Sequence, residues 1–208
     1  HRLGGPNVAY AAVVRRPTRA YRQPGRRRIT SFGRVNLNDV PTVFGVLGWV
    51  SGRGCRAAWY HVQLPIRPNG ITGFVRARDL QIFHVRTRIV IDISSRRLQL
   101  FRGHRRLIST SIAVGSSATP TPTGRYYVNQ RFLTDDPSGP YGPAAIGVSA
   151  YSPVLIHWAQ GGPIGIHGTN APWSIGRPVS NGCIRLHNSV MRRLFRVAVE
   201  GTPVLIRR

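Results

Sequence analysis

Two short stretches, IGIHGTN at residues 164–170 and SNGCIRL at residues 180–186, organise the chain. They place His167 upstream of Cys183, which is one of only two cysteines, among glycines and small polar residues. A thiol nucleophile needs such a setting, because a free thiol is mostly protonated near neutral pH and a nearby base must take its proton. The apolar run before His167 predicts a strand, which would hold the imidazole on a rigid element. The two stretches therefore predict a Cys183 nucleophile with His167 as its base.

The glycines beside this pair have predicted roles of their own. Gly182 has no Cβ, so its N–H and that of Cys183 can face one point, as an oxyanion hole requires. The carbonyl of Gly168 is the expected acceptor for the second ring N–H of His167, and would orient the ring as an aspartate does in hydrolase triads. A buried structural cysteine is the alternative, because free cysteine is among the most buried residue types.

The same residues resemble a known signature. His-Gly-Thr-Asn, a glycine-containing gap and Ser-x-Gly-Cys-Ile-Arg-Leu are similar to the catalytic motif of bacterial L,D-transpeptidases, cysteine enzymes that cross-link or remodel peptidoglycan through its stem peptides. The similarity covers roughly residues 88–206 and includes TPTPTG at 119–124, GPYGP at 139–143 and GTPV at 201–204. The resemblance implies that the Cys183 thiolate attacks a stem tetrapeptide and forms a thioester, which an amine of another stem then resolves. It implies no cofactor, and none of the histidines has a metal-ligand spacing.

The resemblance also implies substrate contacts around the catalytic pair. Tyr141 belongs to a Pro- and Gly-rich loop, and loops of this kind on a rigid sheet often carry binding contacts. Arg185 is expected either to organise its own loop or to bind a stem-peptide carboxylate. The family accepts carbapenems as substrate mimics, so a carbapenem adduct is expected on Cys183. The residues predicted to bind substrate are Tyr141, Thr169, Asn170, Ser180, Asn181, Gly182 and Arg185.

The chain departs from the family pattern at two places. Asn181 stands where most members have a second histidine, and Ser189-Val190 stands where many have an aspartate. An amide can donate a hydrogen bond but cannot relay a proton by titrating. Two alternatives therefore stay open: a non-catalytic peptidoglycan-binding envelope protein, and a cysteine L,D-carboxypeptidase that trims stems with water as acceptor. A low pKa of the Cys183 thiol would favour the enzyme over the binding protein.

Charge is the extreme feature of the composition. The formal net charge is +24, all 30 basic residues are arginine, and only six residues are acidic. Such a surface attracts polyanions, and among these we expect anionic cell-wall polymers and the carboxylates of stem peptides. The sequence shows no recognisable nucleic-acid-binding motif, so no specific nucleic-acid partner is predicted.

The chain contains no apolar run near 18 residues, so no transmembrane span is predicted. It shows no signal peptide and begins at a histidine, which is consistent with removal of an export signal or anchor. We expect an exported monomer of the cell envelope, periplasm or extracellular space. Both cysteines are expected to be free, because a disulfide would block the nucleophile, and Cys55 is expected to be a partly buried structural thiol.

The patterning predicts a mainly β protein with two domains. The 23 glycines and 16 prolines favour short strands over long helices. Residues 1–9 are predicted to form a basic arm and residues 10–85 a small barrel. For residues 86–208, the family resemblance implies a β-sandwich-like L,D-transpeptidase catalytic domain with one or two short helices. The barrel assignment rests on Trp59–Leu64 and Gly73–Val75, which resemble a bacterial SH3-like domain. Further expectations are a strand at Val154–His157, a structural or supporting role for His157, and a helix starting near Asn188 as N-cap.

Overall fold

Short strands joined by turns make up most of the molecule, as the glycine and proline content predicts. The computed structural model describes all 208 residues and contains seventeen strands and one α-helix. The mainly β class predicted from the sequence is confirmed. The strands form two large sheets, one from each half of the chain, and a third sheet of two short strands.

The first half of the chain forms a seven-stranded sheet in the order β3-β2-β6-β5-β4-β1-β7, in which every pairing is antiparallel. Its core is small and includes Phe44, Val62 and Leu64. The assignment of this unit as an SH3-like barrel stays a prediction. The strands are β1 (Ala9–Val14), β2 (Thr18–Gln23), β3 (Arg26–Phe32), β4 (Val43–Ser51), β5 (Ala57–Gln63), β6 (Thr72–Arg76) and β7 (Leu80–Val85).

The second half forms an eight-stranded sheet in the order β10-β9-β8-β17-β12-β13-β14-β16 and a two-stranded sheet of β11 and β15. The largest core cluster, with 22 buried residues, lies in this half. The strands are β8 (Thr87–Asp92), β9 (Arg97–Arg102), β10 (Arg105–Ser111), β11 (Val114–Gly115), β12 (Gly124–Leu133), β13 (Ala144–Tyr151), β14 (Pro163–His167), β15 (Pro178–Ser180), β16 (Ile184–Arg185) and β17 (Pro203–Arg207).

The single α-helix, α1, spans Asn188–Val197 and packs on β13. It buries Met191 and Leu194, and Val190 and Val197 are partly buried against the same core. His187, not Asn188, precedes the first helical turn. None of the helical segments has both the length and the apolar character needed to cross a membrane.

One local prediction is wrong. Val154–His157 forms a turn and not a strand, because the Ser152 hydroxyl accepts hydrogen bonds from the N–H groups of Val154 (3.3 Å) and Leu155 (3.1 Å). The first residues, predicted to form a basic arm, contact β4 while staying largely exposed. The His1 amino group donates to the Trp49 carbonyl at 2.8 Å, and the two rings stack at 4.3 Å.

Buried polar contacts join the two large sheets. The Tyr127 hydroxyl donates to the carbonyl of Val43 at 3.0 Å, and the Tyr127 ring covers Gly45, where a Cβ would clash at 2.9 Å. Asn69 and Tyr151 exchange two hydrogen bonds of 2.8 Å. These contacts lie along one interface between the two sheets.

Candidate active site

The predicted nucleophile and base lie on neighbouring parallel strands. His167 ends β14, Cys183 directly precedes β16, and the strands pair with Ile166 opposite Ile184 and His167 opposite Arg185. Alternate residues of a strand share a face, and here the isoleucines point into the core with at most 1% exposure. The side chains of His167 and Cys183 therefore lie on the same face of the sheet, as the sequence predicts.

The tautomer of His167 follows from one hydrogen bond. Its Nδ1 atom lies 2.6 Å from the carbonyl oxygen of Gly168. A carbonyl oxygen only accepts, so Nδ1 carries the proton and Nε2 of the neutral ring is free to accept one. The structure thus brings Gly168 to the position expected of the orienting group.

Burial determines the charge state of His167. The side chain is only 5% exposed. Burial lowers its pKa to about 4; the Gly168 hydrogen bond opposes this shift, and the positive charge of Arg185 adds to it. Near neutral pH the imidazole is therefore a neutral base.

The Cys183 thiol is half-buried, and its sulfur accepts a hydrogen bond from the N–H of Gly165 at 3.4 Å. Burial raises the pKa of the Cys183 thiol, and this effect exceeds the opposing effects of the Gly165 N–H and the Arg185 charge. The low thiol pKa associated with catalysis in the sequence analysis is therefore absent. A neutral thiol beside a neutral imidazole requires proton removal during attack, as in serine hydrolases, and not a preformed ion pair.

Hydroxyl groups fix the turn that carries Cys183. The Ser180 hydroxyl donates to the Cys183 carbonyl at 2.6 Å, Thr121 donates to the Gly182 carbonyl at 2.8 Å, and Thr119 donates to the Ser180 carbonyl at 3.0 Å. Both threonines belong to the TPTPTG stretch, whose sequence alone predicts no role for them. Their role could not be predicted from the sequence, because it depends on residues 119–121 packing against the turn in the folded protein.

Two predictions on this turn need correction. Ser180 is 1% exposed and its hydroxyl is used within the turn, so its side chain is unavailable as a substrate contact. The Gly182 N–H donates to the Ser180 hydroxyl at 3.2 Å and is not a free oxyanion donor. The backbone of Gly182, with φ of +107°, nevertheless requires a glycine. The Cys183 N–H has no hydrogen-bond acceptor in the protein and remains the candidate donor.

Asn188, which the sequence analysis considered only as a helix cap, supports the other side of the site. Its side-chain oxygen accepts a hydrogen bond from the Thr169 N–H at 2.8 Å. The same oxygen packs against Gly168 and Gly142, and a Cβ at either glycine would lie only 2.3 Å from it. Thr169 itself is 4% exposed, and its hydroxyl accepts from the Ala171 N–H at 3.0 Å. The predicted substrate contact by Thr169 is thus replaced by a structural role.

The remaining predicted residues surround the pair on the solvent side. The Tyr141 ring lies 4.9 Å from that of His167 in an edge arrangement and is 56% exposed. Asn170 and Asn181 are exposed. Arg185 affects the titration of both His167 and Cys183, forms no ion pair with an acidic residue, and has a buried Nε without a partner. Tyr141 and Arg185, which lie beside His167 and Cys183, are therefore candidates for contact with a substrate.

The other candidates lie outside this site. Cys55 is exposed, contrary to the expected structural thiol, and belongs to a turn with no buried residue. His157 is exposed in the turn after Ser152 and does not support the site. No group of three or more histidine, cysteine, aspartate or glutamate side chains is placed to hold a metal ion.

Comparisons with known proteins identify the family to which the second half of the chain is similar. The family model described as "YkuD: L,D-transpeptidase catalytic domain" matches residues 86–206. YkuD of Bacillus subtilis (strain 168), which carries the name of an L,D-transpeptidase, is 38% identical over 120 residues, covering 58% of this chain and 65% of that protein. YqjB of the same organism, with a name of the same kind, is 37% identical over 106 residues, covering 46% of this chain and 57% of that protein.

Among solved structures, the catalytic domain of an L,D-transpeptidase from Enterococcus faecium has 28% sequence identity and a TM-score of 0.43, covering 58% of this chain and 96% of that one. The chain spans just under two thirds of the length of YkuD. The family match covers more than half of the chain and includes every residue of the site described above. Through residues 86–206, the chain belongs to the L,D-transpeptidase catalytic domain family.

Proposed function

We propose that this protein is a peptidoglycan L,D-transpeptidase with Cys183 as nucleophile and His167 as general base. The observation that carries the proposal is the hydrogen bond between His167 Nδ1 and the Gly168 carbonyl, which leaves Nε2 unprotonated on the face that also carries the thiol. Burial keeps His167 unprotonated at pH 7, so the imidazole is available to accept the thiol proton as the sulfur attacks.

The first half-reaction forms the acyl-enzyme. Nε2 of His167 takes the thiol proton, and the sulfur adds to the carbonyl between the third and fourth residues of a stem tetrapeptide. The Cys183 N–H donates to the resulting oxyanion. When the tetrahedral intermediate collapses, His167 returns the proton to the leaving amine, the C–N bond breaks and a D-amino acid leaves. The third residue remains on Cys183 as a thioester.

The second half-reaction transfers the acyl group. An amine of another stem attacks the thioester carbonyl, gives its proton to His167, and forms an amide as the Cys183 sulfur leaves and is reprotonated. Water in place of the amine would give trimming. We assign the Arg185 guanidinium to a stem carboxylate, since it forms no ion pair with an acidic residue of the protein. Tyr141 would form a wall of the cleft, with the exposed amides of Asn170 and Asn181 as further contacts.

This assignment places the protein in the cell envelope after export, with stem peptides as substrate. The high positive charge supports an additional affinity for anionic wall polymers, and the monomeric state stays a prediction.

The raised thiol pKa supports one second candidate, a peptidoglycan-binding protein without catalysis. Incubation with a defined stem tetrapeptide and an amine acceptor, followed by mass spectrometry, separates the possibilities. A cross-linked product and a released D-amino acid support transpeptidation. A tripeptide alone indicates a carboxypeptidase. Unchanged tetrapeptide with retained binding indicates the non-catalytic protein.

A further inference from the structure

A cleft between the two large sheets has a chemistry unlike the rest of the surface. It encloses about 410 Å³ and is lined by 17 residues from both halves of the chain. No lining residue is charged, although 30 of the 208 residues of the protein are arginine. The volume falls within the range of small-molecule sites, which is roughly 300–1,000 Å³. The absence of charge indicates a neutral ligand and not one of the polyanions expected elsewhere on the surface.

Carboxamides form one wall of the cleft. Asn36 and Asn38 each donate to the Gln130 side-chain oxygen, at 2.8 and 3.0 Å, and Gln160 donates to Asn38 at 2.7 Å. Asn129 lines the same cleft with a buried side-chain oxygen that has no hydrogen-bond partner, and rotation of this amide toward the cleft would pair it with a ligand hydroxyl. Amides both donate and accept, so this wall suits a ligand rich in hydroxyl or acetamido groups.

Apolar side chains form the other walls. Phe32, Val35, Leu37 and Ile66 line the cleft, and Val35 and Leu37 are exposed at 51% and 83%. Apolar faces beside amides match a sugar ring, which has C–H faces and a polar edge. A stem peptide fits less well, because its free carboxylates would meet no cation here.

The cleft is connected to the reactive pair by β14. Pro163 lines the cleft and His167 ends the strand, and both lie on the face that also carries Gly165. A Cβ at Gly165 would meet only one backbone oxygen within 4 Å, at 3.5 Å, so this face is open between them. Four residues of strand span about 13 Å. An extended peptide of roughly four residues covers the same distance.

We propose that this interdomain cleft binds the neutral N-acetylated amino sugars of the glycan strand, so that the attached stem runs along β14 to Cys183. The inference rests on the proposed function for the position of the stem, but sugar binding itself requires no catalysis. The lactyl carboxyl group that joins sugar to stem is an amide in the substrate, so the sugar end of the substrate is uncharged.

The test uses the full chain and chitotetraose, a neutral oligomer of N-acetylglucosamine, titrated by NMR or calorimetry. We expect a Kd of about 1 mM or tighter, with shifts of the side-chain amide signals of Asn38 and Gln160. Leu37→Arg and Asn38→Ala should each weaken binding about tenfold or more. Leu47→Arg is the matched control, because Leu47 is also exposed in the first sheet but does not line the cleft.

Sugar binding by the cleft and catalysis by Cys183 are tested by separate measurements. Absence of chitotetraose binding, equal binding by the two Leu→Arg variants, or displacement by an acidic tetrapeptide without sugar would overturn the cleft assignment. Acylation of Cys183 by a free tetrapeptide, measured on the same samples, tests catalysis separately and should be unchanged in all three variants. A sugar-bearing tetrapeptide should react faster than the free peptide with the unmodified protein, and this advantage should disappear in Leu37→Arg and Asn38→Ala.

Discussion

Cys55 and Cys183 are the same residue type in two turns built in opposite ways. Cys55 follows Gly54 in an exposed turn, both residues have positive φ, and no buried side chain supports them. Cys183 closes a turn in which hydroxyls bond three carbonyls, and its sulfur faces the Gly165 N–H on the face of His167. Cys55 is the more exposed of the two, whereas only Cys183 lies on the strand face that carries a histidine and a backbone N–H donor to its sulfur. The comparison teaches that the neighbours of a cysteine, and not its accessibility, predict nucleophilic catalysis.

Replacing each cysteine in turn should give the largest difference in acyl-transfer rate between two variants. Cys183→Ala should reduce acyl transfer from a stem tetrapeptide by roughly 10⁴-fold or more, since the nucleophile is lost. Cys55→Ala should leave the rate unchanged. Both variants should unfold within about 1 kcal/mol of the unmodified protein in urea, because neither change opens a large cavity. Normal turnover by Cys183→Ala would refute the assignment.

Removing the base should have the next largest effect. His167→Gln is expected to lower kcat/KM by roughly 10²–10⁴-fold, because no other group is placed to take the thiol proton. His157→Gln is the matched control, since that histidine is exposed outside the site. Single-turnover acylation measured by mass spectrometry would check both. An equal loss of kcat/KM in the two variants would contradict the role of His167 as the base.

The buried imidazole should also make stability depend on pH. The pKa of His167 is lowered from 6.5 to about 4, so between these values the unfolded chain binds a proton that the folded protein does not. The free energy of unfolding should therefore fall as pH falls through this window, by about 3 kcal/mol in total, and should be fully retained above about pH 6.5. Urea denaturation at pH 7 and pH 4.5 would measure this loss. It should be absent in His167→Gln, and identical pH slopes for the two proteins would oppose the claim.

The smallest expected effect concerns the turn that distinguishes Cys183 from Cys55. Thr121→Val removes the hydroxyl that donates to the Gly182 carbonyl and accepts from the Gly115 N–H, both at 2.8 Å. Loss of these buried bonds should cost about 1–3 kcal/mol and lower kcat/KM roughly tenfold by loosening the nucleophile. Thr123→Val, at a nearby exposed position, should change neither quantity. Stability and kinetics measured on both variants would show whether the turn matters.

Periodicity and motif order predicted the parts of the fold that depend on local sequence. The strand ending at His167 follows from its apolar residues and is present. The turn at Val154–His157 was not predicted, because it depends on the Ser152 hydroxyl, which accepts the backbone hydrogen bonds that end β13. Polar side chains that bond backbone groups locally compete with strand formation, and an apolar run does not reveal them.

Within the site, the sequence predicted which residues lie together better than it predicted the burial of their neighbours. Cys183, His167 and Gly168 lie where the motif predicts, because motif spacing fixes neighbours on paired strands. Ser180 and Thr169 have the expected residue types but are buried by contacts with residues distant in sequence or with their own loops. The raised thiol pKa has the same origin. It depends on the amount of protein around the sulfur, which no short motif encodes.

The central claim is that His167 activates the sulfur of Cys183 toward a stem peptide, and one measurement tests it most directly. The protein is incubated with a stem tetrapeptide without acceptor, quenched in acid and mapped by peptide mass spectrometry. The account predicts an adduct of the tripeptide acyl group on Cys183, with release of one D-amino acid and no adduct in His167→Gln on the same timescale. An adduct on Cys55, or none on either cysteine while the tetrapeptide remains bound, would contradict it.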